Sequence, residues 1–247
     1  MLNSGLTSFS VTTVSVSNYV FFRPILNGIY CLNSDREFYY VDSSNKAVEI
    51  TGTGINNITS KQRMFYLNGY YVLAGTNSSN QIAYCYSTSI TGPFTYRTFA
   101  SSGGTNNFWF FFFDNKYYIF QFGSLYWSND LNSFSITKKC NINYGTFSSL
   151  TSLASFTGTI CGTAEINGIK FLVFGQQGNN SLMLFSFDGD NWYLKDFESG
   201  QSEVPRYILK TSNEVIISNT SWNTVFNAFA VPQVDIKDGK FAFIKVK

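Results

Sequence analysis

Histidine is missing from this chain altogether, and charged side chains make up only 13% of it. Without histidine there is no imidazole to act as general base or metal ligand near neutral pH. Ser-His-Asp and Cys-His nucleophile schemes and histidine-based zinc hydrolases are excluded with it. Cysteine is scarce as well. The four, Cys31, Cys85, Cys140 and Cys161, form no CxxC pair, and Cys31 and Cys85 sit inside apolar strand-like runs. They read as small buried hydrophobes, with a pair of disulfides as the open alternative. The net charge of +2 and the absence of any basic run argue against nucleic acid as a partner. Long apolar runs are lacking too: Phe108–Phe113 is far too short to span a bilayer. Residues 1–11 show neither a basic segment nor a long apolar stretch, so the expectation is a soluble chain made in a cytoplasm, with no membrane insertion and no cofactor.

Aromatic rings are abundant instead, 19% of the chain, with 26 Phe and 16 Tyr. Aromatic and β-branched side chains suit a pleated, half-buried surface, and 44% hydrophobic content over 247 residues is enough for one substantial core. No window keeps an apolar helical stripe behind a plausible cap, and turn chemistry interrupts the chain about every ten residues. The predicted class is all-β.

A hairpin recurs along the chain. An apolar strand, a two-residue turn and a second strand of Tyr, Ile, Val and Phe appear at Ile25–Tyr30, Tyr66–Val72, Phe113–Ile119 and Glu165–Phe171, and more weakly at Lys210–Ile216. The turns start at 27, 68, 114, 167 and 212, in steps of 41, 46, 53 and 45. A period in the forties filled only with strands is the mark of β-propeller blades. A second repeat follows the third strand of the middle units: Ser87–Phe94, Ser128–Phe134 and Ser186–Trp192 each begin on Ser and close on an aromatic. Their Ser and Asp side chains can bond turn amides, and the closing ring can pack between sheets. They belong to a blade's outer rim. The reading is a single domain over 1–247, a propeller of five four-stranded antiparallel blades. Six remain open, because the first and last strands can be assigned in two ways. Thr7–Ser17 is expected to pair with Lys240–Val246 and close the ring, removing an exposed edge.

Ser128–Phe134 and Ser186–Trp192 resemble shortened Asp-boxes of sialidase-like propellers. The hairpins with a Gly-Pro-Phe turn in Ser87–Phe94 resemble the five-bladed arabinanase and xylosidase type. The resemblance implies two carboxylates facing a central cavity, one as acid and one as base. It places a catalytic Asp ahead of the first hairpin, where this sequence has Arg23, and a guanidinium accepts no proton near neutral pH. Met64–Leu67 and Phe108–Phe113 supply no acid, and Glu165 stands alone in the fourth unit. The five arginines, at 23, 36, 63, 97 and 206, form no local motif that marks a sialidase triad. The expectation is therefore a protein that is not an enzyme.

Binding remains. Arg23, Arg63, Asn107 and Trp109 lie near the ends of first strands and are the candidate ligand-binding residues, by stacking or by hydrogen bonds to hydroxyl or carboxylate groups. Arg23 and Arg63 hold comparable pre-hairpin positions, which suggests a cavity of positive character. In composition the chain resembles bacteriophage tail or other virion components. That likeness implies a virion protein made in the host cytoplasm and part of a larger assembly, whose partners are other tail proteins or a host cell-surface glycan. A free carbohydrate-binding propeller and a divergent glycoside hydrolase are the alternatives.

Overall fold

The computed structural model describes the backbone of residues 19–25, 28–33, 37–42, 46–99, 108–121, 123–144, 159–175, 181–197, 207–210, 214–218, 225–230 and 244–246. Among the described residues the only helical element is one turn of 3-10 helix, Ile55–Asn57; the rest is strand and turn, and the chain is all-β. Two compact units divide it, residues 1–106 and 107–247.

The first unit holds two antiparallel meanders. Strands β1 (Tyr19–Ile25), β2 (Gly28–Asn33), β3 (Phe38–Val41) and β4 (Ala47–Glu49) follow in order, and so do β5 (Ser60–Leu67), β6 (Tyr70–Thr76), β7 (Ile82–Ser87) and β8 (Thr95–Phe99). The second unit holds three sheets. One is β9 (Phe108–Phe113), β10 (Lys116–Gln121) and β11 (Ser124–Ser128). In the next, β12 (Asn141–Asn143) lies beside β16 (Asn191–Phe197) in the order β12-β16-β15-β14-β13, with β13 (Thr159–Ile166), β14 (Ile169–Gly175) and β15 (Ser181–Ser186). The last is the meander β17 (Tyr207–Lys210), β18 (Glu214–Ser218), β19 (Val225–Ala230) and β20 (Ile244–Val246).

All five expected hairpins form. Leu67 pairs with Tyr70, Phe113 with Lys116 and Ile166 with Ile169, and in each case two left-handed residues make the turn. Asn68, Asp114 and Asn167 take φ of 46°, 46° and 51°, which matches the twist of the flanking strands. Lys210 pairs with Val215 in the fifth. The first departs by one residue: Ile25 pairs with Gly28, so Gly28 is strand and not turn. Pro24 explains the shift. A two-residue hairpin closes on a hydrogen-bonded pair, and the next pair out exchanges no bonds. The observed register puts Pro24 opposite Ile29 in that unbonded position. The expected one would have asked proline for an N–H it lacks. Pro24 also sits on the edge strand of its sheet, where proline is tolerated.

The third group of four strands is split. β12 leaves its own sheet and pairs in parallel with β16, while the residues just before it run back along β11. Trp127 N–H donates to the Lys138 carbonyl (3.0 Å), Cys140 N–H to the Leu125 carbonyl (2.8 Å) and Asn141 N–H to the Asp190 carbonyl (2.9 Å). One short segment thus bonds two sheets. Thr7–Ser17 lies outside the described residues, and β20 pairs with β19 in its own sheet.

In the first unit the core joins both meanders: Phe38, Ile50, Ile55 and Ile58 pack with Met64, Leu73, Ala83 and Cys85, all buried. Burying side chains of the Leu, Ile and Phe class contributes about 1.5–3 kcal/mol each. Gly75 lets the strands approach there, because a Cβ would stand 2.0 Å from the Ser60 carbonyl oxygen. In the second unit Phe111 stacks on Tyr118 at 5.0 Å, and Trp192 meets them edge-on at 6.0 and 5.9 Å. This fills the seam between the β9–β11 and β13–β16 sheets with rings.

Candidate functional site

The first strands of the sheets share a feature that composition does not show. In β1, β5 and β13 the register slips once, between Tyr19 and Phe21, between Lys61 and Arg63, and between Ile160 and Gly162. The extra residues, Val20, Gln62 and Cys161, each lie five positions before the residue that closes the hairpin. Such bulges bend a strand and re-aim its neighbours. A repeat at one position in three sheets makes it part of the unit. In the second unit β13 lies beside both β9 and β17, so the first strands of its three sheets are neighbours.

The four candidate residues fall unevenly on this frame. Arg63 follows the β5 bulge, is half-buried, and lies opposite Ala74. Trp109 occupies the equivalent place on β9, four residues before the hairpin, and is only 8% exposed. That burial leaves little of its ring for a ligand. Arg23 lies opposite Tyr30, two residues before its hairpin, so its register position is one pleat away from that of Arg63. Asn107 lies outside the described residues.

The Ser-led turns take the geometry their sequence implies. Ser87, Ser128 and Ser186 end the third strands, and their hydroxyls accept N–H bonds from Ser89 (3.1 Å), Asp130 (3.3 Å) and Gly189 (2.8 Å). Two residues on, the side chains of Ser89, Asp130 and Asp188 accept from the amides of Thr91, Asn132 and Asp190. Burial alone would raise the Asp188 carboxyl. Hydrogen bonds from the Asn191 amide and side chain, at 2.8 and 2.7 Å, outweigh it and hold the group below the ordinary carboxylate value. The Gly189 carbonyl accepts from Trp192 Nε1 (2.9 Å), Tyr118 Oη (3.2 Å) and Cys140 Sγ (3.6 Å). These polar groups hold turns.

A cationic hub went unread in the sequence. Lys170, 1% exposed, pairs with Asp114 of the neighbouring hairpin and donates to the carbonyls of Gly168 and Phe187, both at 3.3 Å. Beside it Lys116 pairs with Asp190 at 2.8 Å. The available signals were a lysine inside the apolar run of β14 and an Asp-Asn turn where other hairpins use Asn-Gly. In the first unit Lys61, nearly buried, pairs with Glu37 at 2.7 Å. Arginine and lysine positions therefore serve packing as readily as binding.

Carboxylates are sparse where glycoside chemistry would want them. Among the described residues the first strands carry one, Glu165, half-buried on β13 and in register with Lys170. Asp114, Asp130, Asp188 and Asp190 all sit in turns. Among the described residues no group of three His, Cys, Asp or Glu side chains is placed to hold a metal ion, and no helix is long and apolar enough to cross a membrane.

No family model matches the chain, and no curated protein matches it. Solved structures do resemble it. One is a GH43 beta-xylosidase/alpha-arabinofuranosidase from a compost microbial metagenome, at 11% identity and TM-score 0.48, covering 85% of this chain and 87% of that one. Another is YCF48 bound to D1 peptide, at 13% identity and TM-score 0.48, covering 92% and 69%. A third is the NanB sialidase from Streptococcus pneumoniae, at 14% identity and TM-score 0.41, covering 87% and 41%. At such identities and scores these likenesses assign neither family nor activity.

Proposed function

We propose that the chain is one five-bladed β-propeller that binds a carbohydrate without cleaving it. The fold reading is supported by five consecutive groups of four strands, by the bulge repeated in three first strands, and by first strands lying side by side in the second unit. One observation carries the function: the described first strands supply a single carboxylate, where hydrolysis of a glycoside by the paired-acid route needs two. The binding surface is the level of the first strands that carries Arg63, with Arg23 one pleat away. A cation among aromatic strands suits a sugar bearing a carboxylate. Deployment on a virion, as a tail component that touches a host-surface glycan, rests on composition: free of histidine, low in charge and rich in Asn, Ser, Thr, Phe and Tyr.

The reading is tested by glycan binding. The wild type is expected to retain sialylated or uronate-bearing glycans on an array, and the Arg23→Ala, Arg63→Ala double variant to lose at least about tenfold in affinity, as removal of a charge-assisted pair implies. Equal binding by the two proteins contradicts it.

A further inference from the structure

Three hairpins in this chain share one turn geometry and differ in sequence, and that difference has a chemical consequence. Asn68-Gly69 and Asn167-Gly168 are exposed, and a Cβ added at Gly69 or Gly168 would meet nothing within 4 Å. Asn115, in the third, precedes Lys116 and so lacks the small residue that lets a backbone nitrogen approach the preceding side chain. Asparagine followed by glycine is open to attack by the glycine backbone nitrogen on the side-chain Cγ. The new N–C bond closes a succinimide and expels ammonia; water then opens either carbonyl, giving aspartate or isoaspartate. The balance is one water in and one ammonia out.

We propose that Asn68 and Asn167 are sites of spontaneous deamidation, and that the Lys170–Asp114 pair shields Asn167. Ring closure needs the Asn-Gly peptide plane to turn against its neighbours, and the glycine carbonyl, in the next peptide, is the first anchor on its far side. At the second site Lys170 holds the Gly168 carbonyl at 3.3 Å and the Phe187 carbonyl at the same distance, and its charge is balanced by Asp114 of the next hairpin. A buried ammonium that loses the carboxylate paired with it moves toward water, and its grip on the glycine goes with it. Isoaspartate adds an atom to the main chain of a two-residue loop, which the left-handed turn geometry does not accommodate, so conversion loosens a hairpin of the repeat.

The test is peptide mapping by mass spectrometry during incubation in mildly alkaline buffer. Wild type and Asp114→Asn are compared, folded and in urea, with circular dichroism to show that the variant keeps its strands. Asparagine is accepted at the left-handed position that Asp114 occupies. The expected result is conversion at Asn68 and Asn167 well above Asn115, with a severalfold faster rate at Asn167 in folded Asp114→Asn and no change at Asn68. In urea the two variants convert Asn167 equally. A folded Asp114→Asn protein with an unchanged Asn167 rate overturns the shielding. Conversion at Asn68 and Asn167 no faster than at Asn115 overturns the sites.

Discussion

At the scale of single residues, burial decides what the polar and sulfur groups do. Cys85 and Cys140 are free, buried thiols, as the sequence suggested, and neither carries the lowered pKa of a reactive one. Burial pushes the Cys85 thiol from 9.0 up to about 12, with Lys61 pulling slightly the other way; burial pushes Cys140 up to about 12 as well, helped by Asp190. The unfolded chain therefore releases these protons before the folded one does. The thiols' contribution to stability is full below pH 9.0 and is lost as pH rises toward about 12. Within that window each thiol removes up to about 1.4 kcal/mol per pH unit. Urea melts across the range are expected to show the fall, and Cys85→Ala, though less stable at neutral pH, to show a shallower one. An identical slope in the variant would mean that Cys85 ionises in the folded chain as it does in water. Cys31 and Cys161 have side chains outside the described residues.

At the scale of elements, the stitch made by residues 138–143 is what distinguishes the second unit from a row of separate meanders. Asn141→Pro removes the amide that donates to the Asp190 carbonyl and bars the parallel pairing with β16. It is expected to cost about 1–3 kcal/mol and to weaken the near-ultraviolet signal of Trp192, which this segment helps to cover. A melt unchanged from wild type would show that β12 contributes nothing to the seam. The hairpins and Ser-led turns were legible because their chemistry is local: Asn-Gly at left-handed φ, and hydroxyl or carboxylate oxygens facing amides two residues on. The register of the first hairpin was legible in principle, since Pro24 alone dictates it, but only once strand pairing is counted bond by bond. The crossing of β12 to the next sheet was not. Asn141–Asn143 has the same composition whichever sheet it joins, and the deciding bonds come from Leu125 and Asp190, far along the chain. Of the candidate site residues, Trp109 shows the limit most clearly, since an aromatic on a first strand reads alike whether its ring is free or 8% exposed.

At the scale of the whole molecule, the proposed single propeller is tested by whether residues 1–106 and 107–247 unfold together. All four tryptophans, Trp109, Trp127, Trp192 and Trp222, belong to the second. Tryptophan fluorescence thus follows that unit alone, while far-ultraviolet circular dichroism follows the strands of both. The proposed single domain predicts coincident urea transitions by the two probes; separated midpoints would mean two independent folding units. Function is tested more directly by turnover. Arabinan, xylan and a sialoside panel are incubated with the protein, and the sugars recovered are identified by mass spectrometry. A binding propeller whose described first strands offer Glu165 alone returns every glycan intact. Release of free sugar that Glu165→Gln abolishes would show that the chain is a hydrolase and contradict the binding role.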